Sequence, residues 1–223
     1  MNLPAAIVAD GAILAVHTHP QAFTGPDGIK HPASAWQHWT DEDWSEKCPG
    51  WLVLPVTDEP PELQAGQTST RDPFTEWTIG SDAVSVTYTV AERPPADVRA
   101  ERKEEVRRIR KEREAAGITF YGVPIRTDPE SQGKIGDAIT GLRAAPEGTT
   151  IDWEGQPDIW VTVDLATLEN IGKAVFAYVQ GCFSHSRALL AALDEATGET
   201  EAEENAALLA VDITAGWPGQ VVE

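Results

Sequence analysis

Basic residues are scarce in this chain. Its 223 residues hold 17 Lys and Arg against 36 Asp and Glu, a formal net charge of −19, and no Lys or Arg follows Arg187. Phosphate backbones and anionic headgroups repel a protein of that sign, so nucleic acid and membrane surfaces are not expected as partners. Cysteine is nearly absent too. Cys48 and Cys182 stand in different halves without metal-ligand spacing, which argues against a disulfide-stapled scaffold and for reduced thiols. No apolar run approaches the roughly 20 residues of a membrane span. Met1–Asp10 has no basic segment ahead of its apolar residues, so no signal peptide is expected. Also lacking are a G-x-S-x-G elbow, a phosphate loop and a dinucleotide-binding glycine fingerprint. Together these absences predict a soluble protein that is not an enzyme, with no catalytic residue and no cofactor.

What is present predicts an α+β chain: a small β-rich N-terminal module followed by long helices with short β-hairpins. Ala6–Ala9 and Ala12–His17 flank Asp10-Gly11, a strong signal for a two-residue hairpin turn. Residues 20–35 read as loop. Thr40 before Asp41-Glu42-Asp43 reads as an N-cap followed by acids that suit the helix dipole, hence a short helix over 41–47. Trp51–Val56 reads as a strand ended by Pro55, with Pro60 and Pro61 opening an extended linker. Phe74–Ile79 and Ala83–Val90 are further strand candidates, the second alternating Val84, Val86, Tyr88 and Val90 on one face.

Composition changes at Arg93-Pro94-Pro95. The spacing of opposite charges from Asp97 to Glu114, as in Arg108 and Glu112, predicts a solvated helix over 96–116. Its few apolar residues, Val98, Val106, Ile109 and Ala116, suggest an exposed rod or a weak coiled-coil strand. A hairpin follows around Gly122, then a helix over 129–143 capped by Asp128 with Pro129 first. A strand pair, Thr149–Glu154 and Ile159–Val163, is joined through Gly155-Gln156-Pro157. Asp164 caps a long helix over 165–196. Leu168, Ile171, Val175, Tyr178, Cys182, Leu189 and Leu193, with Ser186 among them, recur in steps of three and four along it. An acidic helix over 201–210 and a short tail complete the chain. The predicted domains are a module at 1–92, a proline boundary at 93–95, a helical module at 96–196 and an acidic tail at 197–223.

Several residues invite a chemical reading. His17-Thr18-His19 would put two imidazoles on one strand face if the strand ran that far, with His31 and His38 as further ligands. His19 precedes Pro20, which favours a surface loop, so no metal site is expected. Asp41, Glu42 and Asp43 are explained by a helix N-terminus without acid–base chemistry. Trp36, Trp39, Trp44 and Trp51 crowd one loop-rich stretch. They fit either the core of a thin β module or a contact surface for protein or carbohydrate, so Trp36, Trp39 and Trp44 are candidate contact residues. On the long helix, Phe176, Phe183 and Leu190 lie off the apolar row. That helix then wants cover on more than one side, from copies of the same chain or from a partner.

The stretch from about Arg99 to Leu193 resembles a family of unknown-function domains at the C-termini of tailed-phage tail-fibre, tail-tip and fibre-assembly proteins. The elements that carry the resemblance are a charged helix ending Ala115-Ala116-Gly117 and the hairpin from Ile118 to Asp128. Ser131-Gln132 and Lys134-Ile135 follow on a short helix, then Trp153 in a strand, Asp164-Leu165 opening the long helix and Phe183 near its middle. The front half is more loosely similar, through His31-Pro32-Ala33-Ser34-Ala35-Trp36 and Asp58-Glu59-Pro60-Pro61. Glu199–Glu223 falls outside the pattern. The resemblance implies an oligomeric virion structural protein of the distal tail tip, baseplate or tail fibre, made in the host bacterial cytoplasm and engaged in host attachment. Its implied partners are other phage tail proteins, copies of itself and a host surface receptor. The alternative it implies is a tail-fibre assembly chaperone absent from the mature virion.

Overall fold

The computed structural model describes residues 3–156 and 158–222. Helix accounts for 43% and strand for 25%, with strands concentrated in the first half and helices in the second, an α+β protein. It divides into two compact units, 1–92 and 93–223.

The first unit opens with β1 (Ala5–Ala9) and β2 (Ala12–His17), antiparallel with Ala9 opposite Ala12. Asp10 and Gly11 between them have φ of 51° and 75°, the positive pair that a tight primed turn needs. Residues 20–35, expected as loop, hold a small hairpin, β3 (Phe23–Thr24) with β4 (Lys30–His31), and a helical turn, α1 (Ala35–His38), starts at their end. Helix α2 (Asp41–Lys47) starts in a capping box. The Asp43 amide donates to Thr40 Oγ1 at 3.2 Å, and the Thr40 amide donates to Asp43 Oδ2 at 3.0 Å.

Strand β5 (Leu52–Thr57) continues through Pro55. The Val56 amide donates to the Pro4 carbonyl, so the amide that Pro55 lacks would have faced the opposite edge. There the neighbouring strand pairs only from Val56 onward. Strand β6 (Gln67–Arg71) lies where a linker was expected, and Phe74–Glu76 is a 3-10 turn where a strand was expected. β7 (Thr78–Ile79) and β8 (Val84–Ser85) complete a five-stranded sheet in the order β2-β1-β5-β8-β7.

The single strand expected over 83–90 divides in two. The Val86 amide still donates to Thr57 in the large sheet, but the Thr87 carbonyl already accepts from Asp72. The chain thus changes sheets, and β9 (Tyr88–Glu92) pairs antiparallel with β6. Two apolar clusters flank the sheet. One holds Ile7, Phe23, Trp36, Trp44 and Val53; the other holds Val8, Leu54, Trp77, Val84 and Val86.

The second unit begins with Arg93, whose guanidinium pairs with Glu101 at 2.5 Å and whose carbonyl accepts from Asn205 Nδ2 at 2.9 Å. Pro95 is already the first residue of α3 (Pro95–Ala115). β10 (Ile118–Phe120) and β11 (Val123–Ile125) form a hairpin whose turn residues Tyr121 and Gly122 both have positive φ. Asp128 accepts from the Ser131 amide at 3.0 Å and caps α4 (Pro129–Ala144). β12 (Thr150–Gln156) and β13 (Ile159–Asp164) are antiparallel, and the expected turn residue Pro157 lies outside the described residues. Helix α5 (Leu165–Glu195) is followed by α6 (Glu201–Ala210) and β14 (Val221–Val222), which runs parallel to β10.

Helix α3 is not a free rod. Val98, Val106 and Ile109 are buried against Leu189 and Leu193 of α5, with Leu208 of α6 and Ile213 closing the cluster. Leu208 and Ile213, within the stretch expected as an acidic tail, are therefore part of the core. No helix among the described residues is long and apolar enough to cross a membrane.

Candidate protein-contact surface

Helix α5 is the backbone of this surface. Asp164 accepts from the Thr167 amide at 2.8 Å and fixes its start, and no proline interrupts its 31 residues. The apolar row read from the sequence faces inward along its whole length: Leu168, Ile171, Val175, Tyr178, Cys182, Ser186, Leu189 and Leu193 are all buried. Ile118, Ile125, Ile135, Leu142 and Val163, from the hairpin, α4 and β13, cover its first half. Helices α3 and α6 cover the second. One chain thus covers the whole of this row.

The residues off the row divide. Phe176 is 67% exposed and Phe183 is 46% exposed, whereas Leu190 is half-buried against the α3–α6 cluster. Arg110 of α3 lies 4.4 Å from the Phe183 ring centre and pairs with Glu114 at 2.9 Å. Beside Phe176, α4 and α5 enclose a cleft of about 390 Å³ lined by Ile135, Gly136, Ile139, Gly172, Lys173 and Phe176 among others. Gly172 permits the close approach, since a Cβ there would stand 3.0 Å from Ile139 Cδ1. Arg143 closes one end, with two nitrogens 2.8 and 3.0 Å from Glu169 Oε1.

Sequence reasoning missed the cations here. Lys173 and Arg187 are exposed on α5 and have no ion-pair partner among the described residues. A signal did exist: no acid stands between Glu169 and Asp194, in a chain where acids outnumber bases two to one.

Residues 97–214 match the family described as Domain of unknown function (DUF4376). That match spans more than half of the chain. The chain belongs to this family. The DUF4376 match lies wholly in the second unit and runs from α3 through α6. Its reach to residue 214 corrects the expectation that everything after Glu199 stands outside the pattern. No curated protein and no solved structure matches the chain.

The other candidates lie in the first unit. Trp36 and Trp44 are 1% and 3% exposed, so they are core and not a presented surface. Phe23 stacks on Trp44 at 5.1 Å between ring centres, and Trp36 lies 5.1 Å from Trp44. Of the three candidate tryptophans Trp39 alone is partly open, with Lys47 Nζ 5.3 Å from its ring. Strand β2 ends at His17, so His17 and His19 do not share a strand face. His17 is buried beside Trp36, and its Nδ1 lies 2.6 Å from Gln21 Nε2; His19 is exposed. Among the described residues, no three His, Cys, Asp or Glu side chains gather as a metal site.

Burial, helped by the nearby His19, holds the His17 ring below the ordinary histidine value of 6.5. The unfolded chain therefore takes up a proton at higher pH than the folded one. Stability from neutral His17 is complete above about pH 6.5 and declines as pH falls below it. Urea midpoints at pH 7 and pH 5 should differ less in His17→Gln than in the parent. Equal differences would show that His17 does not contribute to the slope.

The strongly lowered carboxyls are cap residues. Hydrogen bonds from Lys47 and Thr40 hold Asp43 at about 2, and hydrogen bonds from Ser131 hold Asp128 at about 2. Both stabilise a helix start, and neither lines the α4–α5 cleft.

Proposed function

We propose that this chain is a non-enzymatic structural component of a bacteriophage tail, at the distal tip, baseplate or a tail fibre. In this reading it works by binding other tail proteins, contributes to host attachment and resides in the virion after synthesis in the host cytoplasm. The tail assignment is supported by the resemblance of Arg99–Leu193 to domains of tail-fibre and tail-tip proteins. The protein-binding role is carried by one observation. Phe176 and Phe183 stand one heptad apart on a single 31-residue helix, each about half or more exposed, although that helix has a complete internal core. Large aromatics on a rigid helix suit partner binding because little entropy is lost when they are covered.

The size of the surface favours a second reading. Two phenylalanines and a short cleft are small beside the ~1,200–2,000 Å² of a stable interface, which suits the transient grip of a fibre-assembly chaperone. Mass spectrometry of purified virions and of the lysate from which they come separates the two. A tail component is expected in both samples at a fixed ratio to other tail proteins. Presence in the lysate with absence from particles would reject the structural role and leave the chaperone.

A further inference from the structure

We infer that the outer face of α5, from Lys173 to Arg187, together with the α4–α5 cleft, is a docking site for an acidic amphipathic helix of a second protein. The inference rests on reading the chain as a protein-binding component. It does not depend on whether that component belongs to a phage.

The outer face has a regular order. Lys173, Phe176, Gln180, Phe183 and Arg187 follow one another in steps of three and four, and all five are exposed. Such steps place them in one stripe on the helix surface. Ala177, Ser184, Ala188 and Ala191 run beside it, also exposed and small, so a second helix can lie close against the two rings. Two phenylalanines thus flank Gln180 in the middle of the stripe, and cations stand at both ends. At ~1.5 Å rise per residue, those cations are about 21 Å apart.

Charge decides what fits. The acids that border the stripe are already engaged: Glu169 with Arg143, Glu114 with Arg110, and Asp194 with Lys103. Lys173 and Arg187 are left over in a protein of net charge −19. A second copy of this chain is a poor occupant. Two α5 helices paired across a two-fold axis at Gln180 would set Lys173 against Arg187, and a parallel pairing would set each cation against itself. A helix with apolar residues at heptad spacing and Asp or Glu toward both ends satisfies both cations while covering Phe176 and Phe183. Its apolar side chains can also enter the cleft between Ile139 and Phe176.

The test uses the full chain and two fluorescent helical peptides of about 21 residues, three heptads each. Both carry leucine at the two apolar heptad positions. One has glutamate at the flanking positions and the other has lysine there. Fluorescence anisotropy is expected to show binding of the glutamate peptide, weakened by salt, and at least about tenfold weaker binding of its lysine twin. The double reversal Lys173→Glu with Arg187→Glu should invert that preference. Phe176→Ala should weaken the glutamate peptide by about tenfold. Because Phe176 is 67% exposed, its replacement should leave the melting curve in place.

Equal binding of the two peptides, or binding of neither, overturns the inference. So does a concentration-dependent dimer in light scattering that Phe176→Ala abolishes, which would assign the face to a second copy. A failed peptide experiment leaves the virion measurement standing, and absence from virions leaves this surface standing.

Discussion

A chain ending at Ala196 is expected to lose the cooperative fold of its second unit. The deleted residues carry Leu208 and Ile213, 0% and 1% exposed, which close the cluster built from Val98, Val106, Ile109, Leu189 and Leu193. Removing that cover puts the contact between α3 and α5 in water. Polar contacts go with it. Arg99 Nη2 loses Glu204, with which it pairs at 2.7 Å, and keeps only the Leu193 and Ala196 carbonyls as acceptors for its guanidinium. Arg102 donates to the Val211 carbonyl at 2.6 Å. Helix α5 has no basic residue in its own last turn, so α3 supplies the cation that its C-terminal carbonyls favour. The single substitution Leu208→Ala should cost about 2–5 kcal/mol, and the truncation more than that. For a domain of this size the point variant should melt on the order of 10 °C lower. Circular dichroism melts of parent, Leu208→Ala and the truncated chain check this. If the truncated chain melts with the parent, the C-terminal segment is an appendage, and the packing argument fails.

That segment shows where sequence reading works and where it stops. Three helix starts were legible because they are local chemistry: Thr40, Asp128 and Asp164 each accept from an amide three residues on. The inward row of α5 was legible because burial of one face imposes the three-and-four spacing. The partnership of α3 was not. Periodicity registers apolar faces, and α3 has only three buried apolar residues. Much of its attachment is made by Arg99, Arg102 and Lys103, which reach carbonyls or carboxylates of residues 193 to 211. Nothing in a run of charges tells which of them will face the protein.

Strand β6, Gln67–Arg71, was invisible for a related reason. It is polar on both faces, and what holds it is its ladder with β9 and the bond from Gln67 to Glu92. At the contact surface, Phe176, Phe183 and Leu190 could be read as apolar residues off the inner row. The role of Lys173 and Arg187 could not, because an unpaired cation is defined by where every nearby acid has gone.

The tryptophan cluster gives the last expected result: Trp36→Ala should destabilise the first unit by about 3–5 kcal/mol. A count of four tryptophans in one stretch is compatible with a binding face, but burial points the other way. Trp36 is 1% exposed, its ring centre lies 4.5 Å from His17 and 5.5 Å from Phe23, and its Nε1 donates to the Gln21 carbonyl at 2.9 Å. That bond ties α1 to the loop after β2, so two kinds of loss combine: a cavity where the indole stood and an unpaired carbonyl. Trp36→Phe keeps most of the ring and loses the bond, which should cost about 1–3 kcal/mol. Trp39→Ala should cost less than Trp36→Ala, because Trp39 already faces water in part. Guanidinium unfolding followed by near-ultraviolet circular dichroism would rank the three. A Trp36→Ala protein with the parent midpoint would mean that the indole is not core, and the contact reading of this cluster would return for Trp36 and Trp44 together, since their rings pack on each other.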